Sequence, residues 1–128
     1  MGDFHQNGSV STLHNLGQRP VVEIENELNQ FKDSRPMGLV LPSLFSELEG
    51  TALSGIVDEI SKVPYLEEIV IGLDNATQDQ FKHAINYFSK LPHHHRILWN
   101  DGPRLSVIDK KLRSIGLAPT HKGKGRNV

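Results

Sequence analysis

Apolar and polar residues recur along the chain in three similar blocks, each with a short apolar run followed by a stretch of helical periodicity. The apolar runs cover residues 37–41, 68–73 and 96–99, and they predict three buried strands. Apolar residues spaced three and four apart predict helices from near Thr51, from Thr77 and after the turn Asn100–Pro103. Successive strand–helix units imply parallel strands, because each crossover returns the chain to the same end of the sheet. We therefore predict an α/β fold with a Rossmann-like parallel sheet and helices on both faces.

The region before the first strand divides into two parts. Residues 1–19 are polar and show no sustained periodicity, which predicts a flexible N-terminal arm. Pro20 then opens a helix whose apolar stripe is Val21, Ile24, Leu28 and Phe31. Residues 20–128 are enough for one α/β domain and too few for two.

The composition restricts the class of protein. The chain has no cysteine, no signal-peptide pattern at its N-terminus and no apolar run near the roughly 20 residues that a membrane span needs. These features predict a cytoplasmic protein that does not contact a membrane.

Charge is distributed unevenly along the chain. Residues 1–89 carry five basic and thirteen acidic residues, whereas residues 90–128 carry nine basic and two acidic ones. The C-terminal third therefore either faces an anionic partner or forms a basic helix face with a polar tail. No nucleic-acid-binding motif accompanies the basic residues, so we do not expect a nucleic-acid partner.

Ligands of open parallel sheets bind beyond the carboxyl ends of the strands. This rule selects the loops Pro42–Gly50, Asp74–Thr77 and Asn100–Pro103. In the first loop, the carboxylates of Glu47 and Glu49 either accept the hydroxyls of a ribose or are solvated loop acids. Asp74 either accepts a hydrogen bond from a base or begins a turn.

Two further features contain chemically capable residues. Gly123 and Gly125 stand among three basic residues in 121–127, which is typical either of a diphosphate-binding segment or of a flexible basic tail. His93-His94-His95 is predicted to form a surface turn rather than a metal site, because neighbours that enter a strand alternate in direction. We expect Trp99 to lie in the core.

Three segments, taken in order, resemble a known family. Residues 40–47 look like the first strand and loop of GT-A glycosyltransferases, which carry a P-A-L-N-E-E type motif. Residues 67–74 look like the second strand, which ends in an acid near the base. Residues 123–127 look like the G-K-G-x-[AN] motif of these enzymes. Among them, the chain most resembles the bacterial-type glucosyl-3-phosphoglycerate synthase group, including its mannosyl relatives.

The resemblance implies a nucleotide-sugar-binding domain over residues 20–128. Backbone atoms of Pro42, Ser43 and Leu44 would line the base and ribose pocket, and Glu47 would bind the ribose hydroxyls. The first loop is slightly longer than in the family, so Glu49 is an alternative to Glu47. Asp74 would contact the base, and the segment Gly123, Lys124 and Gly125 would close over the nucleotide.

The resemblance also implies an activity, namely retaining transfer of glucose or mannose from a nucleoside-diphosphate sugar to a small acceptor such as 3-phosphoglycerate. The family uses Mg²⁺ or Mn²⁺ held by an Asp-x-Asp motif, and these 128 residues contain no Asp-x-Asp. We therefore expect the N-terminal half of a GT-A fold, truncated at its C-terminus and inactive alone, whose full-length form is a possible homodimer. The alternative is a complete, non-enzymatic nucleotide-binding α/β module.

Overall fold

The computed structural model describes residues 19–117. The predicted N-terminal arm therefore lies outside the described residues except for Arg19, as does the predicted glycine-rich segment. A short 3₁₀ helix, Phe45–Glu49, follows the first strand. The other elements, in chain order, are α1 (Val21–Phe31), β1 (Met37–Leu44), α2 (Thr51–Ile60), β2 (Leu66–Asp74), α3 (Gln78–Phe88), β3 (His94–Trp99) and α4 (Pro103–Ser114).

The three strands form one parallel sheet in the order β1-β2-β3. Leu41 pairs with Ile71, and Ile71 pairs with Ile97, so these three residues form one row across the sheet. The Rossmann-like parallel α/β arrangement predicted from the repeated pattern is confirmed.

The core lies on one face of the sheet. Alternate residues of a strand point to the same face of the sheet. The β2 residues that point to the core face, Ile69, Ile71 and Leu73, are fully buried. Both crossovers run in the same direction across the sheet, so right-handed connections bring α2 and α3 to the same side. The fully buried residues of this core are Val57 from α2, Ile69, Ile71 and Leu73 from β2, and Ala84 and Phe88 from α3.

The opposite face is more open. Its residues Val40 and Leu98 are 55% and 49% exposed, and neither α1 nor α4 has a buried residue. Ile108 and Ile115, which mark the apolar stripe predicted for α4, are also exposed. None of the helices among residues 19–117 is long and apolar enough to cross a bilayer.

Pro42 was expected to stop the first strand, and this expectation is wrong. β1 continues through Pro42 to Leu44, and Pro42 pairs with Gly72. Proline has no backbone N–H to donate to a neighbouring strand. An edge strand tolerates it, because one side of that strand has no neighbour to accept a hydrogen bond. β1 has β2 as its neighbour on one side and lies at an edge of the described sheet.

The three histidines were expected to form a turn, whereas His94 and His95 begin β3. His93 donates from Nε2 to the carbonyl oxygen of Val63 at 2.6 Å, and His95 donates from Nδ1 to the carbonyl oxygen of His93 at 2.9 Å. His94 lies beside Glu68 on the neighbouring strand, with 3.5 Å between Nδ1 and Oε1. The side chains therefore alternate in direction, as the strand geometry requires.

Local signals at the helix ends are confirmed. The Thr77 hydroxyl accepts from the Gln80 amide at 3.3 Å, and the Gln80 side-chain oxygen accepts from the Thr77 amide at 2.8 Å. This reciprocal pair is the capping box that the Thr77–Gln80 spacing predicts. Gly116 follows α4 at φ +74°, a left-handed conformation that glycine adopts without steric cost.

We expect Phe88→Ala to lower the free energy of unfolding by about 3–5 kcal/mol, because Phe88 is fully buried between α3 and the sheet. Ile85→Ala is the matched control, since Ile85 lies in the same helix and is 45% exposed. Urea denaturation measures both variants. Equal losses of stability would contradict the placement of the α3 core face.

We also expect the pKa of Glu68 to lie below its ordinary value, because the Arg96 guanidinium hydrogen-bonds to its carboxylate across the sheet. A lowered folded-state pKa means that this pair stabilises the fold above the pKa of the unfolded chain. That stabilisation is lost as the pH falls through the folded-state pKa. An NMR titration of the Glu68 carboxyl measures the pKa, and Arg96→Met should raise it. An identical titration in the two proteins would show that Arg96 is not its cause.

Candidate functional site

The loop after β1 is organised by Glu47. The backbone N–H of Leu44 donates to Oε2 of Glu47 at 2.9 Å. Phe45 and Leu48 are buried and anchor the 3₁₀ helix to the core. These contacts hold the Glu47 carboxylate close to the last residue of β1.

Pro42 and Glu47 line the same cavity. It has a volume of about 400 Å³ and lies between the end of β1 and the beginning of α2. Its other lining residues are Leu41, Gly50, Thr51, Ala52, Leu53 and Ile56. Glu49 is exposed and is not among the lining residues.

Ser43 and Asp74 lie near the carboxyl ends of β1 and β2, and both are fully buried, with 0% exposure each. Asp74 pairs in register with Leu44, which is partly exposed. The Ser43 hydroxyl has no hydrogen-bond partner among the described residues. The structure thus brings Pro42, Ser43, Leu44 and Asp74 together at the carboxyl end of the sheet. Because of their burial, a ligand in solvent does not reach the Ser43 hydroxyl or the Asp74 carboxylate directly.

The loop after β2 is connected to the loop after β3. Asn75 has a φ of +56°, a left-handed conformation that asparagine tolerates better than most residues. Its neighbour Ala76 donates its N–H to Oδ2 of Asp101 at 3.1 Å, and the Ala76 carbonyl accepts from the Trp99 indole N–H at 2.8 Å. Asn75, Ala76, Thr77, Asp101 and Ser106 line a polar depression of about 440 Å³.

Sequence reasoning selected the loop Asn100–Pro103 but did not identify Asp101 within it. The hydrogen bond from Ala76 joins residues 25 positions apart, and no local pattern indicates this pairing. An aspartate two residues after a strand, in a selected loop, was the available signal.

Trp99 is partly buried against the core, close to its predicted position there. Its ring stacks on Phe81 with 4.9 Å between the ring centroids and 10° between the planes. A Cβ on Gly102 would lie 2.9 Å from both the Trp99 ring and the Trp99 carbonyl oxygen. The glycine therefore permits the close approach between the loop and the indole.

Three of the predicted site residues, Gly123, Lys124 and Gly125, lie outside the part of the chain that the structure describes. Between residues 19 and 117, no three His, Asp or Glu side chains come together as a metal site.

Two curated relatives are similar to this chain. A glucosyl-3-phosphoglycerate synthase from Persephonella marina is 40% identical over 128 residues, which is all of this chain and 32% of the relative. A glucosyl-3-phosphoglycerate synthase from Methanococcoides burtonii is 34% identical over 131 aligned residues, which cover 98% of this chain and 31% of the relative. The chain thus spans about a third of the length of the curated relatives it matches. No protein-family model matches the chain, and no solved structure matches it significantly.

The parallel α/β fold, together with these relatives, relates the chain to the glycosyltransferases. Within that class, the similarity is to glucosyl-3-phosphoglycerate synthases and extends along essentially the whole chain. The resemblance inferred from the three sequence segments is confirmed.

We expect Gly102→Ala to lower the free energy of unfolding by about 1–3 kcal/mol, because the new methyl group would overlap the Trp99 backbone oxygen as well as the ring. Gly55→Ala is the matched control, since Gly55 lies within α2 and a Cβ there would meet nothing within 4 Å. Alanine should stabilise that helix by about 0.5–1 kcal/mol. Urea denaturation measures both effects, and a neutral Gly102→Ala would refute the close packing.

Proposed function

We propose that this chain binds the nucleoside diphosphate portion of a nucleotide-sugar donor at the carboxyl ends of β1 and β2. The observation that carries the proposal is the register of these strands, in which Leu44 pairs with Asp74. The two described segments that resemble the GT-A motifs therefore end side by side. The carboxyl edge of a parallel sheet is where such folds bind nucleotides.

Glu47 is the proposed ribose ligand. An ionised carboxylate has about four acceptor positions, so Glu47 is able to accept ribose hydroxyls in addition to the Leu44 N–H. Its position in the cavity beside Pro42 supports this role, and the exposure of Glu49 outside that cavity favours Glu47 over Glu49.

The remaining contacts to the donor stay predictions. Pro42, Ser43 and Leu44 contribute backbone atoms to the base pocket, a role that does not require the buried Ser43 hydroxyl to be accessible. A contact between Asp74 and the base requires that the atoms covering its carboxylate move, because Asp74 is fully buried. Gly123, Lys124 and Gly125 are proposed to supply amides and positive charge to the diphosphate.

The reaction proposed for the whole protein is retaining transfer of glucose or mannose from the donor to a small acceptor such as 3-phosphoglycerate. The two relatives are named as glucosyl-3-phosphoglycerate synthases, which supports glucose as the sugar and 3-phosphoglycerate as the acceptor. A departing diphosphate needs positive charge, from Mg²⁺, Mn²⁺ or basic side chains. The role proposed for the described residues is donor binding and orientation.

Isothermal titration calorimetry of the 128-residue chain with UDP, and separately with GDP, tests the proposal. We expect binding of at least one nucleotide. Glu47→Ala should weaken it by about ten-fold or more, because it removes a charge-assisted hydrogen bond worth roughly 1.5–3 kcal/mol.

Glu49→Ala is the matched control and should bind as the unsubstituted chain does. Loss of affinity in Glu49→Ala alone would show that Glu49, and not Glu47, binds the ribose. Loss in neither variant would show that the family motif is placed wrongly on this loop, and absence of binding by the unsubstituted chain would refute the proposed function.

A further inference from the structure

The backbone of Ala76 is held by side chains from a distant part of the sequence. Its N–H donates to Oδ2 of Asp101, and its carbonyl accepts from the indole of Trp99. Both partners come from the end of β3, 23 and 25 residues further along the chain. Both backbone hydrogen-bonding groups of Ala76 are therefore held by side chains at and just after the end of β3, and Ala76 itself is buried.

The two partners are themselves held in place. The amide of Asn100 donates to the carbonyl of Leu73 at 2.9 Å, which joins the ends of β2 and β3. The Ser106 hydroxyl donates to the backbone carbonyl of Asp101 at 3.2 Å. Stacking on Phe81 fixes the orientation of the Trp99 ring. Asp101 and Trp99 thus lie on a rigid support.

This support acts on a segment with an irregular backbone. Asn75 adopts a positive φ, which is uncommon for a residue with a side chain although asparagine tolerates it better than most. It lies between Ala76, which β3 holds, and Asp74, which is buried in register beside Leu44. The two hydrogen bonds at Ala76 therefore fix the backbone next to the proposed base contact.

We propose that Asp101 and Trp99 are positioning residues for nucleotide binding. They order the segment Asp74–Ala76 before the ligand arrives, so binding does not have to supply that ordering. This inference rests on the proposed function, since it assigns to the pair the support of the same site. Asp101 acts through Ala76 rather than by contact with the ligand.

The test combines UDP titration with amide hydrogen exchange of Ala76 in the 128-residue chain. Asp101→Ala removes the acceptor, so exchange at the Ala76 amide should accelerate and the Kd for UDP should rise about three- to ten-fold. Asp101→Asn retains an oxygen acceptor. Its Ala76 exchange rate and its Kd for UDP should therefore lie closer to those of the unsubstituted chain than to those of Asp101→Ala. Trp99→Phe keeps an aromatic ring for Phe81 but loses the N–H donor, and it should also weaken UDP binding.

Asp58→Asn is the matched surface control, because Asp58 is exposed and its carboxylate lies 3.6 Å from the Lys90 ammonium group. This substitution should change neither the exchange rate of the Ala76 amide nor the Kd for UDP. Unchanged UDP affinity in Asp101→Ala, or equal loss in Asp101→Ala and Asp101→Asn, would overturn the positioning role.

Failure of the proposed function gives a different result. The unsubstituted chain would then bind neither UDP nor GDP, whereas the exchange rate of the Ala76 amide would still respond to Asp101→Ala if Asp101 orders the loop. An exchange rate that does not respond would overturn the structural basis of the inference independently of nucleotide binding.

Discussion

β2 is paired on both sides, to β1 and to β3, and all three strands run in the same direction. The loops that follow the strands therefore meet at one edge of the sheet. The apolar residues of β2 maintain this arrangement, because Ile69, Ile71 and Leu73 are fully buried beneath α2 and α3. A shift of the register by one residue would turn them away from the core. It would also separate Leu44 from Asp74, the pair on which the candidate site depends.

The site that results has two parts with different properties. At the end of β1, the half-buried Glu47 and Pro42 line one cavity. At the ends of β2 and β3, Asp74 is buried and the following loop is fixed by Asp101 and Trp99. The first part is suited to contact a ligand. The second part supplies rigidity, and rigid supports lower the entropic cost of binding.

The order of the elements and the capping box at Thr77 follow from local patterns, and sequence reasoning predicted both. The continuation of β1 through Pro42 was not predicted, because the effect of proline depends on whether its strand lies at an edge. The entry of His94 and His95 into β3 was missed because consecutive polar residues at the start of a strand resemble a turn. The connection from Asp101 to Ala76 depends on the approach of two distant loops, which only the folded sheet determines. Burial of Asp74 likewise depends on tertiary packing.

The most direct test of donor binding is a crystal structure of the 128-residue chain with UDP. We expect electron density for the ribose at the Glu47 carboxylate, with the base against the backbone of residues 42–44. UDP bound instead at the amino ends of the strands, or on the open sheet face beside Val40 and Leu98, would contradict donor binding at the carboxyl ends of β1 and β2.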